Sequence, residues 1–203
     1  MTTYSLPAAV LAAALLTVAC GEAPSGGTPS SSSSQPLAVS VEAVASGAKG
    51  FSVGSAMSAR TVYVFFDPQC PHCNELWDAA KPLKSQARFV WIPVGLLNPS
   101  STAQGATLLS AADPVTAMDE HEASMRKRAG GIGAGSSIDA QKETVAANTA
   151  LLTRFGFSSI PTIVATHAQT GALVTNEGAL PTAALANLLG LQAPASAFPA
   201  TAK

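Results

Sequence analysis

The stretch Phe65–Trp77, FFDPQCPHCNELW, restricts what this chain can become more than any other part of it. A β-favouring apolar run, Val62-Tyr63-Val64-Phe65-Phe66, enters it, and apolar residues at helical spacing, Leu76, Trp77, Ala80 and Leu83, leave it. Cys70 therefore stands at a strand-to-helix turn. There the unpaired N–H groups of a first helical turn and the positive end of the helix dipole favour an anion. The thiol is expected to ionise below its ordinary value of about 8.5, and the thiolate is the species that attacks disulfides. Cys73, one turn on, faces the same side and is placed to attack a mixed disulfide formed at Cys70. Pro71 suits the first helical position, where the N–H it lacks would have had no partner. His72 sets a donor or cation beside the thiolate, which favours the dithiol and makes the disulfide more oxidising.

These residues resemble the active site of the thioredoxin-fold disulfide oxidoreductases. The surroundings DPQCPHC are most similar to the DsbG/DsbC branch, while Pro71-His72 matches DsbA. The resemblance implies an α/β thioredoxin fold with a helical insertion, Cys70 and Cys73 as the catalytic pair, and Pro71 and His72 as its redox-tuning residues. It implies no cofactor beyond the redox-active disulfide. A second constellation is Phe155-Gly156-Phe157-Ser158-Ser159-Ile160-Pro161-Thr162-Ile163-Val164, a helix end followed by X-Pro opening a β run. The resembled folds place a cis-proline beside the CxxC at this point, which implies that Ile160 and Pro161 hold an extended substrate through its backbone. Ile160 stands where DsbG and DsbC have Thr, and agrees with thioredoxin itself. Val64 stands where thioredoxin and DsbA have a buried acid, so proton transfer at Cys73 is left to water, His72 or another group.

A chain of 203 residues with a removable front end leaves one domain of about 160–170 residues, ample for a buried core. Eleven basic residues balance twelve acidic ones, and no Lys/Arg cluster offers a nucleic-acid footprint. Charged residues make up 11%, against a usual value of about 25%, so the surface is rich in Ala, Ser, Thr and Gly. Leu6–Ala19 is an apolar stretch of signal-peptide length, too short for a mature membrane span. It runs into Leu16-Thr17-Val18-Ala19-Cys20-Gly21, which resembles a bacterial lipoprotein processing site, although Thr17 and the missing Lys or Arg before the apolar run depart from that pattern. The resemblance implies lipidation at Cys20. The expected organisation is a signal peptide over 1–19, a lipid-attachment site and Ser/Gly/Pro tether over 20–36, a short lead-in over 37–58, the thioredoxin-like domain over 59–193 and a fraying tail over 194–203. Leu37–Ser46 of the lead-in alternates in part and reads as a short strand or extended segment, and the dimerisation domain of DsbG and DsbC has no counterpart, so a monomer is expected.

The helix after the cysteines is expected to run from about His72 to Ser85, followed by a buried parallel strand over Ala87–Val94. Residues 99–150 read as a mostly helical insertion, which in the resembled family forms one wall of the substrate groove. Its glycine run, Gly130-Gly131-Ile132-Gly133-Ala134-Gly135, lacks the strand and Lys-Ser/Thr of a phosphate loop and reads as a flexible connection. His121, between Glu120 and Glu122, reads as part of a solvated helix face, and Asp67 as the organiser of the turn before the CxxC. Thr162–Thr166 and Gly171–Thr175 suggest a hairpin, and Leu180–Leu189 a closing helix with Gly190 after its end.

The chain is thus expected to be an extracytoplasmic thiol:disulfide oxidoreductase of DsbG-like interchange type with a relatively oxidising poise. The alternative is a membrane-tethered reductant of protein disulfides or oxidised cysteines. Its partners would be client proteins and a DsbD-like reductase or DsbB-like oxidase. Two other classes stand beside it: a metal-binding module using Cys70, Cys73 and a histidine, whose two further ligands His121 and His167 would supply only by chance geometry, and a holdase indifferent to both cysteines.

Overall fold

The computed structural model describes residues 36–194, so Cys20, the expected signal peptide and nearly all of the tether lie outside the described residues. The middle strand, β2 (Thr61–Phe66), decides the layering. Val62, Val64 and Phe66 join the core on one side of it and Tyr63 and Phe65 the core on the other, as period-two alternation requires of a strand covered on both faces. Around it lie β1 (Phe51–Gly54), β3 (Arg88–Pro93), β4 (Thr162–Thr166) and β5 (Leu173–Glu177), in the order β1-β3-β2-β4-β5. β3 runs parallel to β2 with Trp91 opposite Val64, and the other three pairings are antiparallel.

Helices cover both faces. α1 (Val41–Gly47) and α5 (Asp139–Arg154) bring Val44, Leu151 and Leu152 against Tyr63 and Phe65. α2 (Pro71–Ala80), α3 (Pro99–Ser110), α4 (Pro114–Arg126) and α6 (Thr182–Leu189) supply Leu76, Trp77, Leu108, Met118, Leu185 and Leu189 to the opposite core. Its centre is aromatic: Trp77 and Trp91 meet edge to face at 4.9 Å, and Phe66 meets Trp91 at 5.5 Å. The sheet, the helix after the cysteines and the helical insertion are as expected.

Several boundaries differ, each for a local reason. The lead-in holds a helix where a short strand or extended segment was expected: Ser40 accepts a hydrogen bond from the Ala43 N–H, and Val44 is buried one turn after Val41. The strand follows it, as β1. α2 stops at Ala80, short of Ser85, because Pro82 lacks the N–H and clashes with a continuing α-turn; Lys81–Leu83 form a 3₁₀ turn instead. The hairpin strand begins at Leu173 because the turn before it is longer: His167 Nδ1 accepts from the Gln169 and Thr170 N–H groups, and Gly171 has φ of +72°. Pro181 caps α6 rather than lying within it, and Gly190 ends it in the left-handed conformation.

Candidate functional site

The turn after β2 delivers Cys70 to the N-cap of α2, with extended backbone at Cys70 and Pro71 as the first helical residue. No side chain caps this helix, so its first N–H groups face the thiol. The Cys70 thiol is lowered to about 7, chiefly by the hydrogen bond from Cys73, against the opposing effect of burial. The Cys73 and His72 backbone N–H groups and the charge of His72 lower it further. Cys73 is wholly buried, and desolvation pushes its thiol well above the ordinary value, helped by the hydrogen bond and charge of Cys70. One helical turn thus separates a thiol half ionised at neutral pH from one that keeps its proton. His72 lies on the surface with Nδ1 3.0 Å from Glu75 Oε2, and that carboxylate raises its pKa.

The segment before β4 closes the site. The Ile160–Pro161 peptide is cis, and the Ile160 carbonyl oxygen lies 3.9 Å from Cys70 Sγ. Cys70, Pro71, His72 and Cys73 are therefore joined at one end of α2 by Ile160 and Pro161, some ninety residues further along the chain. Exposed Leu96 and Leu97 follow β3 nearby. Asp67 holds that loop to the cysteine turn: it is fully buried, accepts from the Gln69 N–H at 2.8 Å through one oxygen, and from the Leu96 and Leu97 N–H groups at 2.7 and 2.9 Å through the other. This matches its reading as a turn organiser.

His121 corrects the sequence reading, because it is fully buried rather than solvated. Its Nε2 lies 2.7 Å from the Pro68 carbonyl oxygen and its Nδ1 accepts from the Ile132 N–H, an arrangement of the neutral ring that burial favours by lowering the pKa. The ring therefore pins the turn before Cys70 to the insertion. The glycine run is likewise no slack connection: Gly131 has φ of +86°, and a Cβ there would come within 2.4 Å of the His121 ring. Gln104 fixes the same loop by donating to the Gly130 and Ile132 carbonyls.

Glu122 was read only as a flank of His121, yet it is 1% exposed. Asn74 Nδ2 donates to its carboxylate and, at 3.1 Å, to its carbonyl oxygen. Burial raises the carboxyl to about 7, with Asn74 and Arg126 pulling it down and Asp78 and Cys70 pushing it up. The signal that could have found both residues is the stripe Met118, His121, Glu122, Met125, which shares one helical face. A groove of about 200 Å³ lined by Pro71, Asn74, Glu75, Met125 and Arg126 opens beside them.

A family model described as a thioredoxin-like domain matches residues 53–193. This chain belongs to the thioredoxin-like domain family. Within it, the chain is 34% identical over 145 residues to the thiol:disulfide interchange protein DsbG of Pseudomonas aeruginosa, covering 68% of this chain and 54% of that protein. It is 32% identical over 104 residues to DsbG of Escherichia coli, covering 50% and 42%. The matched region spans about half the length of these curated relatives. A periplasmic thioredoxin-like protein from Salmonella enterica serovar Typhimurium superposes with a TM-score of 0.57 at 16% identity, over 76% of this chain and 97% of that one, a likeness of fold. Among the described residues no group of three or more His, Cys, Asp and Glu converges as a metal site, and His121 has both ring nitrogens engaged.

Proposed function

We propose that the chain is an extracytoplasmic thiol:disulfide oxidoreductase that exchanges disulfides with client proteins through Cys70 and Cys73. The observation that carries this reading is the inequality of the two thiols, about 7 for Cys70 and well above the ordinary value for Cys73. In the reducing direction the Cys70 thiolate attacks a client disulfide, one client sulfur leaves as a thiolate, and Cys73 attacks the mixed disulfide once its proton is removed. In the oxidising direction a client thiolate attacks Cys70 of the closed disulfide and Cys73 departs. The Ile160 carbonyl beside Cys70 Sγ gives an extended client segment a backbone acceptor at the point of attack. The redox-active disulfide is the whole of the chemistry, with no cofactor.

The DsbG relatives and the apolar leader ending at Cys20 support an oxidising, extracytoplasmic setting and a lipid tether on the periplasmic side of a bacterial membrane. The redox partner is then a membrane reductase or oxidase of DsbD or DsbB type. Substitution Cys70→Ser is expected to abolish disulfide exchange, whereas Cys73→Ser accumulates mixed disulfides with clients, read on non-reducing gels. Retained exchange in Cys70→Ser refutes the reading.

One observation favours the reducing alternative over the oxidising poise expected from His72. Cys70 ionises at about 7, in the region of thioredoxin's thiol rather than the value of about 3.5 found in DsbA, so its dithiol is less stabilised. A reduction potential against glutathione nearer −270 mV than −120 mV is therefore expected, a span of about 7 kcal/mol for two electrons. A value near −120 mV would restore the oxidising role.

A further inference from the structure

The end of the sheet away from the cysteines carries a second concave site that disulfide exchange does not use. Tyr63 of β2 and Val164 of β4 belong to the core under α1, so period-two alternation sets Thr61 and Thr166 on that same face. Val62 stands opposite Ala165, which makes Thr61 and Thr166 the next pair along the ladder. Thr61, Tyr63 and Thr166, with Arg60 and His167, line a pocket of about 270 Å³ that Val41 of α1 also borders. Each of these five polar side chains can donate a hydrogen bond, and no Asp or Glu lines the pocket. Glu42, next to Val41, is exposed and not part of the lining. Arg60 is exposed, and among the described residues no carboxylate pairs with it. Thr61 is backed by Arg88, whose Nη2 donates to Thr61 Oγ1 at 2.9 Å and whose N–H donates to the Arg60 carbonyl at 2.9 Å. With its oxygen so engaged, Thr61 keeps its own O–H to give. Arg88 Nε is buried without a partner among the described residues, so this guanidinium has only a neutral hydroxyl to answer its charge. His167 Nδ1 accepts from the Gln169 and Thr170 N–H groups, both at 3.3 Å, which leaves the ring proton on Nε2. The ring is held against Gly190, where a Cβ would come within 2.5 Å of it. The site is therefore positive and built of donors, the complement of an oxyanion.

We propose that this pocket binds a phosphoryl group, with Arg60 as its cation, Thr61, Thr166 and His167 as neutral donors, and Arg88 adding charge through Thr61. A phosphoryl group fits better than a carboxylate because its three acceptor oxygens can be shared among donors from two strands and a turn. Free phosphate and the phosphate of a membrane headgroup share this chemistry. The headgroup suits the place of the site: the lead-in enters α1 at Val41, beside the pocket, so a membrane reached through the expected tether comes to this end. Cys70 follows the far end of β2, about 17 Å of strand away, and is left facing clients. The site is independent of the chemistry at Cys70 and Cys73.

The test uses the full chain and inorganic phosphate, with chloride at equal ionic strength as the control. In NMR titrations of isotope-labelled protein, phosphate is expected to give saturable shifts at the Arg60, Thr61, Thr166 and His167 amides and none at Cys70 or Cys73. By calorimetry, Arg60→Gln is expected to weaken phosphate binding about tenfold, and Thr61→Val, which keeps the branched shape, about fivefold. Arg60 is exposed, so its replacement leaves the fold in place, and disulfide exchange is expected to be unchanged in both variants. Vesicles of phosphatidylglycerol separate the two sources. Weaker apparent phosphate binding in their presence assigns the pocket to a lipid headgroup, and unchanged binding assigns it to the free anion. Phosphate that moves these signals no more than chloride does overturns the proposal, as does equal phosphate affinity in the unaltered protein and both variants.

Discussion

The cysteine segment, residues 65–77, and the insertion that packs on it, residues 99–154, are built on opposite plans. The first is local: an apolar strand, a turn closed by Asp67, and a helix with Pro71 at its start place both thiols within one turn. The second is held by buried polar groups that reach far along the chain, His121 to Pro68, Gln104 to Gly130 and Ile132, Asn148 to Lys49 and Pro93, and Asn74 to Glu122. The comparison teaches that the segment carrying both thiols is tied to the insertion by hydrogen bonds from buried side chains to distant backbone and side-chain groups. Leu96 and Leu97 stand exposed beside the Asp67 turn, and the groove at Met125 is lined by Pro71, Asn74 and Glu75 of the helix that carries Cys73.

Breaking the insertion's hold is expected to have the largest effect. Gly131→Ala demands a left-handed backbone of a residue with a Cβ and drives that atom into the His121 ring, so a loss of about 3 kcal/mol is expected in denaturant unfolding. A matched substitution at Gly133, where a Cβ meets nothing within 4 Å, is expected to cost far less. Equal losses at the two positions would mean that the His121 contact does not matter.

The next effect is a pH dependence. Glu122 has its carboxyl raised from 4.5 to about 7 in the folded protein, so the folded state binds more protons than the unfolded one across that interval. Stability of the dithiol form should be full below about 4.5 and fall by about 2–3 kcal/mol as pH rises to 7 and beyond. Glu122→Gln should flatten that slope in urea titrations made at several pH values. Cys70 acts with the opposite sign: its thiol is depressed from 9.0 to about 7, so its contribution appears as pH rises through that range. A slope unchanged by Glu122→Gln would show that the Glu122 carboxyl is not raised in the folded protein.

What the sequence disclosed follows the same division. The CPHC turn, the β2 alternation and the Ile160-Pro161 opening of β4 are local patterns, and the chain's neighbours in sequence suffice to read them. His121 and Glu122 were hidden because a polar residue is buried only when a distant partner satisfies it, and the partners, Pro68, Ile132 and Asn74, are known only once the chain has folded. The same holds for the glycine run, whose need for a missing Cβ at Gly131 is set by the His121 ring. The helix at 41–47 was concealed for another reason: its apolar residues alternate as a strand's do, and the Ser40 cap outweighed the alternation.

A smaller effect is expected at Asn148. Its side chain accepts from the Lys49 N–H at 3.0 Å and donates to the Lys49 and Pro93 carbonyls at 2.8 and 3.0 Å, so Asn148→Leu should cost about 2 kcal/mol in thermal or denaturant unfolding. A neutral outcome would place that end of the insertion outside the account. The smallest belongs to the exposed pairs of Asp78 with Lys81 and Arg126, both at 2.9 Å. Asp78→Asn should change stability by less than about 1 kcal/mol, and added salt should shrink the difference.

The central claim is that one helical turn holds two thiols of opposite character. The most direct measurement is alkylation of the reduced protein across pH with each cysteine followed separately by mass spectrometry. The account predicts that Cys70 reacts with a midpoint near 7 while Cys73 stays unmodified until the protein is unfolded. Equal reactivity at the two cysteines, or a Cys70 midpoint at the ordinary thiol value of about 8.5, would contradict it.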